Sequence, residues 1–284
     1  MEIIKMHGLG NDFVFIDHFD KQSEEKQPDY PELARKLCHR QFGVGGDGLI
    51  VVLSSQVADA RMRIFNSDGS EPEMCGNGIR CFARYIYDKG YVQKNPLKVE
   101  TLAGILTLNL KLEAGEITGV QVNMGEPILK AELIPILAQG EPIVGAQLEA
   151  KGEVFNFTAV SMGNPHCIIF VEDYQKLDFE HLGPAIEKHP LFPRKTNVEF
   201  IRVDSPTKIT MKVWERGAGP TLACGTGACA SVVACVLNKK TERAVTVHLP
   251  GGDLFIEWKL DNQVYMTGPA TYVFKGEILN DHFN

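Results

Sequence analysis

Apolar and polar residues alternate with a period of two along most of this chain, and that pattern predicts short, half-buried strands. Leu106, Leu108 and Leu110 against Thr107, Asn109 and Lys111 are a clear case. Strands are expected at 2–6, 13–17, 49–53, 60–66, 97–101, 105–112, 117–123, 154–160, 167–172, 198–203, 208–214, 244–249, 253–259, 263–267 and 271–275. Turn-forming runs such as Glu113-Ala114-Gly115-Glu116 and Gly251-Gly252-Asp253 separate them. The period changes to that of a helix in only four places. Two are 31–40, which opens on Pro31 and Glu32, and 178–189. The other two are 77–89, apolar at Ile79, Phe82, Ala83, Ile86 and Tyr87, and 226–238, apolar at Cys229, Val232, Val233, Val236 and Leu237. The last is apolar nearly all round, so it should be buried on several sides.

The two later helices expose a repeat. Arg63-Ile64-Phe65-Asn66 precedes Cys75-Gly76-Asn77-Gly78, and Lys212-Val213-Trp214-Glu215 precedes Cys224-Gly225-Thr226-Gly227 at the same spacing. Gly10-Asn11 answers to Gly163-Asn164, and Leu49–Val52 is matched to Phe200–Val203. A duplication of about half the chain implies two similar lobes, consistent with the length of 284 residues. A break at Met124-Gly125-Glu126-Pro127 marks the linker. The segment 128–153 reads as the most irregular.

Composition narrows the field a little. The chain is 44% hydrophobic and 23% charged with net charge −7, ordinary for a globular protein and unfavourable for nucleic acid or an anionic membrane surface. No apolar run has the length of a membrane span, and the first residues lack a signal-peptide core, so a cytoplasmic location is expected. Seven cysteines in such a chain are expected to be reduced, and their spacing does not match zinc-ligand pairs, so no metal is expected. The loop Gly43-Val44-Gly45-Gly46-Asp47-Gly48 fits neither a dinucleotide nor a phosphate-binding pattern. No motif for pyridoxal phosphate or nicotinamide is present, and no cofactor is expected.

Cys75 and Cys224 carry the candidate chemistry. A cysteine that opens a helix among glycines sits where free N–H groups and the helix dipole favour anions, so its thiolate is expected to be stabilised. Two such sulfurs on one carbon would allow a proton to leave from one side and return on the other. Each cysteine alone reads equally well as a small buried hydrophobe. Cys38, Cys81, Cys167, Cys229 and Cys235, within apolar strands or helix faces, are expected to be packing. Glu215 and Arg216 offer an anion and a cation for an amino acid, or a surface pair. Asn11 and Asn164 are ligand groups or plain turn residues. His166 is a tuner of a sulfur or a structural histidine.

Several motifs together resemble the diaminopimelate epimerases: His7-Gly8-Leu9-Gly10-Asn11-Asp12-Phe13, Asn66-Ser67-Asp68-Gly69-Ser70, Cys75-Gly76-Asn77-Gly78-Ile79-Arg80-Cys81, Gly163-Asn164-Pro165-His166, Thr196-Asn197-Val198-Glu199-Phe200, Trp214-Glu215-Arg216-Gly217 and Ala223-Cys224-Gly225-Thr226-Gly227-Ala228. The resemblance spans residues 3 to 275. It implies an α/β (α+β) fold of two pseudo-symmetric lobes, each a curved, mainly antiparallel sheet around a central helix, with the active site in the cleft. The lobes would be 1–124, joined by 273–284, and 125–272. It implies a cytoplasmic, homodimeric enzyme, independent of cofactor, that interconverts LL- and meso-2,6-diaminopimelate for lysine and peptidoglycan biosynthesis. Cys75 and Cys224 would be the acid/base pair. Asn11, Asn66, Gly76, Asn77, Asn164, Asn197, Glu215, Arg216, Gly225 and Thr226 would bind substrate, and His166 and Glu215 would tune the cysteines. The chain departs from some members at Gly48, where they carry glutamine. Two other readings remain open: a racemase of another amino acid such as histidine on the same scaffold, and a non-catalytic thiol redox or binding module. The related phenazine-type isomerases lack the paired cysteines.

Overall fold

Alternation places one face of each strand against apolar partners, and the strands pair accordingly. The computed structural model describes residues 1–20 and 28–279. The chain divides into two units, one of residues 1–122 together with the segment from Gly268 onward, the other of Asn123–Thr267. Return to the first unit thus begins at Gly268 rather than at 273; of the expected 273–284, residues 280–284 lie outside the described residues.

The first unit contains β1 (Glu2–Gly8), β2 (Asn11–Asp17), α1 (Tyr30–Cys38), β3 (Gly48–Leu53), β4 (Ala60–Asn66), α2 (Gly76–Asp88), β5 (Leu97–Thr101), β6 (Gly104–Glu113) and β7 (Glu116–Asn123). Asp29 caps α1 by accepting a hydrogen bond from the Glu32 amide. In sequence order each of β1 to β6 pairs with the next. The β2–β3 and β4–β5 pairs are parallel and the rest antiparallel. The β3 segment GLIVVL is almost wholly buried because helices cover both faces. Leu49 and Val51 pack with Leu33, Ala34 and Leu37 of α1. Ile50 points the other way, under α2, which also packs against β1, β2, β4 and β6.

The second unit contains β8 (Ala146–Ala150), β9 (Glu153–Ser161), β10 (Pro165–Phe170), α3 (Phe179–Glu187), β11 (Asn197–Ser205), β12 (Lys208–Glu215), the two-residue β13 (Gly219–Pro220), α4 (Gly225–Leu237), β14 (Ala244–Leu249), β15 (Gly252–Trp258) and β16 (Val264–Gly268). Its sheet runs β8-β9-β10-β11-β12-β14-β15-β16, with parallel pairs at β10–β11 and β12–β14. Leu182 and Ile186 of α3 cover Cys167, Ile169, Val198 and Phe200 on one face. Helix α4 covers the other face and is buried from Ala228 to Cys235, as its apolar circumference requires.

The pairing pattern is the same in both units, strand for strand, if β17 (Thr271–Glu277) is placed before β1. This last strand pairs antiparallel with β1, as β8 pairs antiparallel with β9.

Two expectations need correction. The strand β8, AQLEA, lies in the stretch read as irregular. Its alanines, glutamine and glutamate have weak strand preference, and pairing with β9 makes it a strand. The repeat register also differs. Leu49 faces Phe65 and Val198 faces Trp214, so Leu49 answers to Val198, not to Phe200. A two-residue slip keeps every side chain on its own face, so alternation alone does not reveal it.

Candidate active site

Each repeated cysteine is the residue before the first turn of a 13-residue helix. Cys75 caps α2 and Cys224 caps α4, both in extended backbone (φ −138°, ψ 120° and φ −123°, ψ 110°). Neither helix has a side-chain cap from a polar residue, which leaves first-turn amides available for an anion; in α4 the Gly227 amide already faces the Cys224 sulfur. The glycines after each cysteine allow the helix to settle on its sheet. A Cβ on Gly78 would lie 3.1 Å from the Ile50 Cδ1 and 3.2 Å from the Ile64 Cδ1. A Cβ on Gly227 would lie 2.7 Å from the Glu199 Oε1, and one on Gly225 would lie 2.9 Å from the Met266 Sδ. Such approaches exclude any larger residue without movement.

In the first unit Cys75 is half-buried, and its thiol donates to Asn11 Oδ1 at 3.8 Å. Asn77 Nδ2 donates to the same oxygen at 3.1 Å, and Asn77 Oδ1 accepts from Arg80 at 2.9 Å. Asn11 is oriented from behind, because its Nδ2 donates to Asp47 Oδ2 at 2.6 Å. Asp47 in turn pairs with Arg40 at 2.8 Å, and Arg40 also reaches Asp12 at 2.9 Å. Asp12 accepts from the buried Lys5 ammonium at 2.6 Å. Burial alone would raise the Asp12 pKa, but Lys5 and Arg40 outweigh it and hold the carboxyl below the usual aspartate range. Asn66, exposed at the end of β4, donates to Ser70 Oγ at 2.9 Å and stands opposite Gly48 in the sheet. A Cβ at Gly48 would meet the Phe65 carbonyl oxygen at 2.7 Å, so a side chain here needs a different backbone.

In the second unit Cys224 is 5% exposed. Its Sγ lies 3.5 Å from Thr226 Oγ1, which accepts from Asn164 Nδ2 at 3.2 Å. Asn164 Oδ1 accepts from His166 Nε2 at 3.0 Å, and His166 Nδ1 is 2.6 Å from Glu199 Oε1. Asn197 serves as a brace here: its Nδ2 donates to the Pro165 carbonyl at 2.8 Å and its Oδ1 accepts from the Arg216 amide at 2.9 Å. Glu215 Oε1 accepts from Thr221 at 2.5 Å. The Arg216 side chain is exposed and donates to the Arg194 carbonyl at 3.3 Å.

The expected stabilisation of the thiolate fails at Cys224. Burial, with the acidic residues Glu215 and Glu199 close by, pushes its thiol well above the usual range. The Thr226 hydroxyl and Gly227 amide work against this without reversing it. The remaining five cysteines are buried packing residues, and burial raises the thiols of Cys38, Cys81 and Cys235 to about 12.

Sequence reasoning assigned no role to Asp47, Arg40, Lys5 or Glu199. Glu199 did leave a signal, a lone charge in the apolar run Val198-Glu199-Phe200-Ile201. Asp47 sat unnoticed among the glycines before β3.

There are two helix-capping sulfurs, each with an asparagine at or just before the start of a neighbouring strand aimed at its helix. Comparison with known proteins gives this arrangement a family. The family model for diaminopimelate epimerase matches residues 3–130 and 158–273. A curated diaminopimelate epimerase of Desulfitobacterium hafniense is 77% identical over 99% of both chains. One from Moorella thermoacetica is 56% identical over 98% of this chain and 99% of its own. A crystal structure of a Bacillus anthracis phenazine biosynthesis protein of the PhzF family shares the fold at a TM-score of 0.69 with 20% identity, covering 98% of this chain and 99% of that one. With a relative at 77% identity over nearly its whole length, this chain belongs to the diaminopimelate epimerase family.

Proposed function

We propose that the chain interconverts LL- and meso-2,6-diaminopimelate, in lysine and peptidoglycan biosynthesis, with Cys75 and Cys224 as its two acid/base groups. One sulfur, as thiolate, removes the α-hydrogen. The other, as thiol, gives a proton to the resulting carbanion with inversion, and the two exchange roles when the reaction runs backwards. A positioned base contributes about 10²–10⁴-fold, and donors aimed at the developing charge supply more. First-turn amides of the cysteine-capped helices are the donors this reading assigns to the substrate carboxylate. Asn11, Asn66, Gly76, Asn77, Asn164, Asn197, Glu215, Arg216, Gly225 and Thr226 hold the amino acid. His166 and Glu215 adjust the sulfurs. The same reading has the enzyme act in the cytoplasm as a homodimer without pyridoxal phosphate. What supports it above all is the matched placement of the cysteines: both cap helices of equal length, each with an asparagine hydrogen-bonded at or beside the sulfur.

Solvent-deuterium incorporation at the α-carbon tests the assignment. Wild type should label LL-diaminopimelate, while Cys75→Ser and Cys224→Ser should each lose at least about 10²-fold in epimerisation. Full activity in either variant overturns the cysteine roles. Labelling of histidine or another amino acid instead of diaminopimelate overturns the substrate.

A further inference from the structure

Glu199 is the most anomalous polar residue of the second unit. It is fully buried in β11, directly under the first turn of α4. Its Oε1 touches His166 Nδ1 at 2.6 Å, and its Oε2 is a buried oxygen with no hydrogen-bond partner among the described residues. A carboxylate with one unsolvated oxygen is costly, whereas a neutral carboxyl that donates from Oε1 leaves only a carbonyl oxygen without a donor.

The partners fix the direction of every bond beyond it. Asn164 Nδ2 donates to Thr226 Oγ1, so Asn164 Oδ1 is the acceptor for His166 Nε2–H. With Nε2 protonated, a neutral imidazole has Nδ1 free to accept from Glu199. Thr226 Oγ1 lies 3.5 Å from Cys224 Sγ, and once that sulfur is a thiolate only the Thr226 hydroxyl can be the donor between them. Donors therefore run one way, from Glu199 through His166, Asn164 and Thr226 to the sulfur. Chains of this kind polarise each bond in turn.

We propose that Glu199 is a positioning residue held as a neutral carboxyl, the terminus of a one-way hydrogen-bond relay that stabilises the thiolate of Cys224. The assignment rests on Cys224 acting as an acid/base group. Burial raises the Glu199 pKa in spite of the opposing pull of His166. The neutral state also matters to the sulfur, since a carboxylate at Glu199 would add to the repulsion from Glu215. The groups facing Cys224 are then Glu215 from β12, Glu199 from β11, and Thr226 with the Gly227 amide from α4. The first unit does not repeat these two residues at the matching positions. Pairing places Phe13 where the second unit has His166, and Ile50 where it has Glu199.

Two substitutions and a spectrum test this. In infrared difference spectra at neutral pH, Glu199→Gln should remove one protonated-carboxyl C=O band from wild type. Glu199→Gln keeps a neutral donor toward Nδ1, so α-hydrogen exchange should stay within about threefold, and the pH midpoint for alkylation of Cys224 should not move. Glu199→Leu breaks the relay, so that midpoint should rise and exchange should fall about tenfold, the worth of one hydrogen bond. If the residue is a carboxylate, both variants remove a negative charge, the Cys224 midpoint falls in both and no carboxyl band is lost; that result overturns the proposal. Unchanged exchange in a folded Glu199→Leu overturns it equally. Should Glu199→Leu fail to fold, the band and the Glu199→Gln midpoint still decide. Wild type without α-hydrogen exchange would sink the functional reading but leave the band and midpoint interpretable.

Discussion

The two units share a backbone plan and differ in what lies beneath the reactive helix. Strand order, parallel pairs, helix length and the capping cysteine all correspond. Under α2 the sheet presents Phe13 and Ile50, while under α4 it presents His166 and Glu199. Polar support for Cys75 comes instead from loop residues, through Asp47 to Asn11. Consequently the amide oxygen of Asn11 faces the first sulfur as an acceptor, while a hydroxyl sits beside the second. The backbone frame sets where each sulfur stands, and the residues one layer down set what it meets there. A duplicated frame thus presents its two sulfurs to different neighbours.

The most disruptive way to break the comparison is to remove the strand that completes the first unit. A chain ending at Ala270 lacks β17, which pairs with β1 from Glu2 to His7. It should lose about 5 kcal/mol or more, seen as loss of cooperative unfolding of the first unit in denaturant. Next comes the ionic support of the first unit. Asp12→Asn leaves the buried Lys5 without its 2.6 Å partner and should cost about 3 kcal/mol at neutral pH. Because the Asp12 pKa is lowered by folding, its contribution is present above the usual aspartate range and lost as pH falls through the folded value. The gap between wild type and Asp12→Asn in urea midpoints should therefore shrink toward acid pH; a gap that widens contradicts the pairing. The smallest effects come from the matched glycines. Gly78→Ala presses on two isoleucine methyls and should change stability by less than about 1 kcal/mol, since alanine also favours the helix. Gly227→Ala intrudes on Glu199 Oε1 and should cost about 2 kcal/mol, with a loss of activity that Gly78→Ala does not share. Equal losses in the two variants would erase the distinction drawn here.

Much of the fold was legible in the sequence, because one buried face per strand writes itself as alternation. The strands at 60–66, 97–101 and 244–249 were read at their observed limits. What escaped depends on partners rather than on local pattern. The β8 segment is a strand only because β9 is beside it, and the repeat register is hidden by the period of two. At the site, the two cysteines with Asn11 and Asn164 stood out through repetition and glycine framing, while the roles of Asn66, Asn77, Asn197 and His166 came from the family resemblance. Their supports did not, since Asp47, Arg40 and Lys5 are distant in sequence and meet only when β1, β2 and the loop before β3 are folded. The pKa of Cys224 was misjudged for a related reason. Helix position is visible in a sequence, whereas complete burial beside two acidic residues is not.

The place of β17 bears on how the protein is made. All strands of the second unit, from Ala146 to Gly268, leave the ribosome in one uninterrupted run. The first unit begins earlier, yet the edge of β1 stays open until residues 271–277 emerge. The half that starts first therefore finishes last, and during that interval an unpaired edge carrying Ile3, Ile4 and Met6 is exposed to other nascent chains.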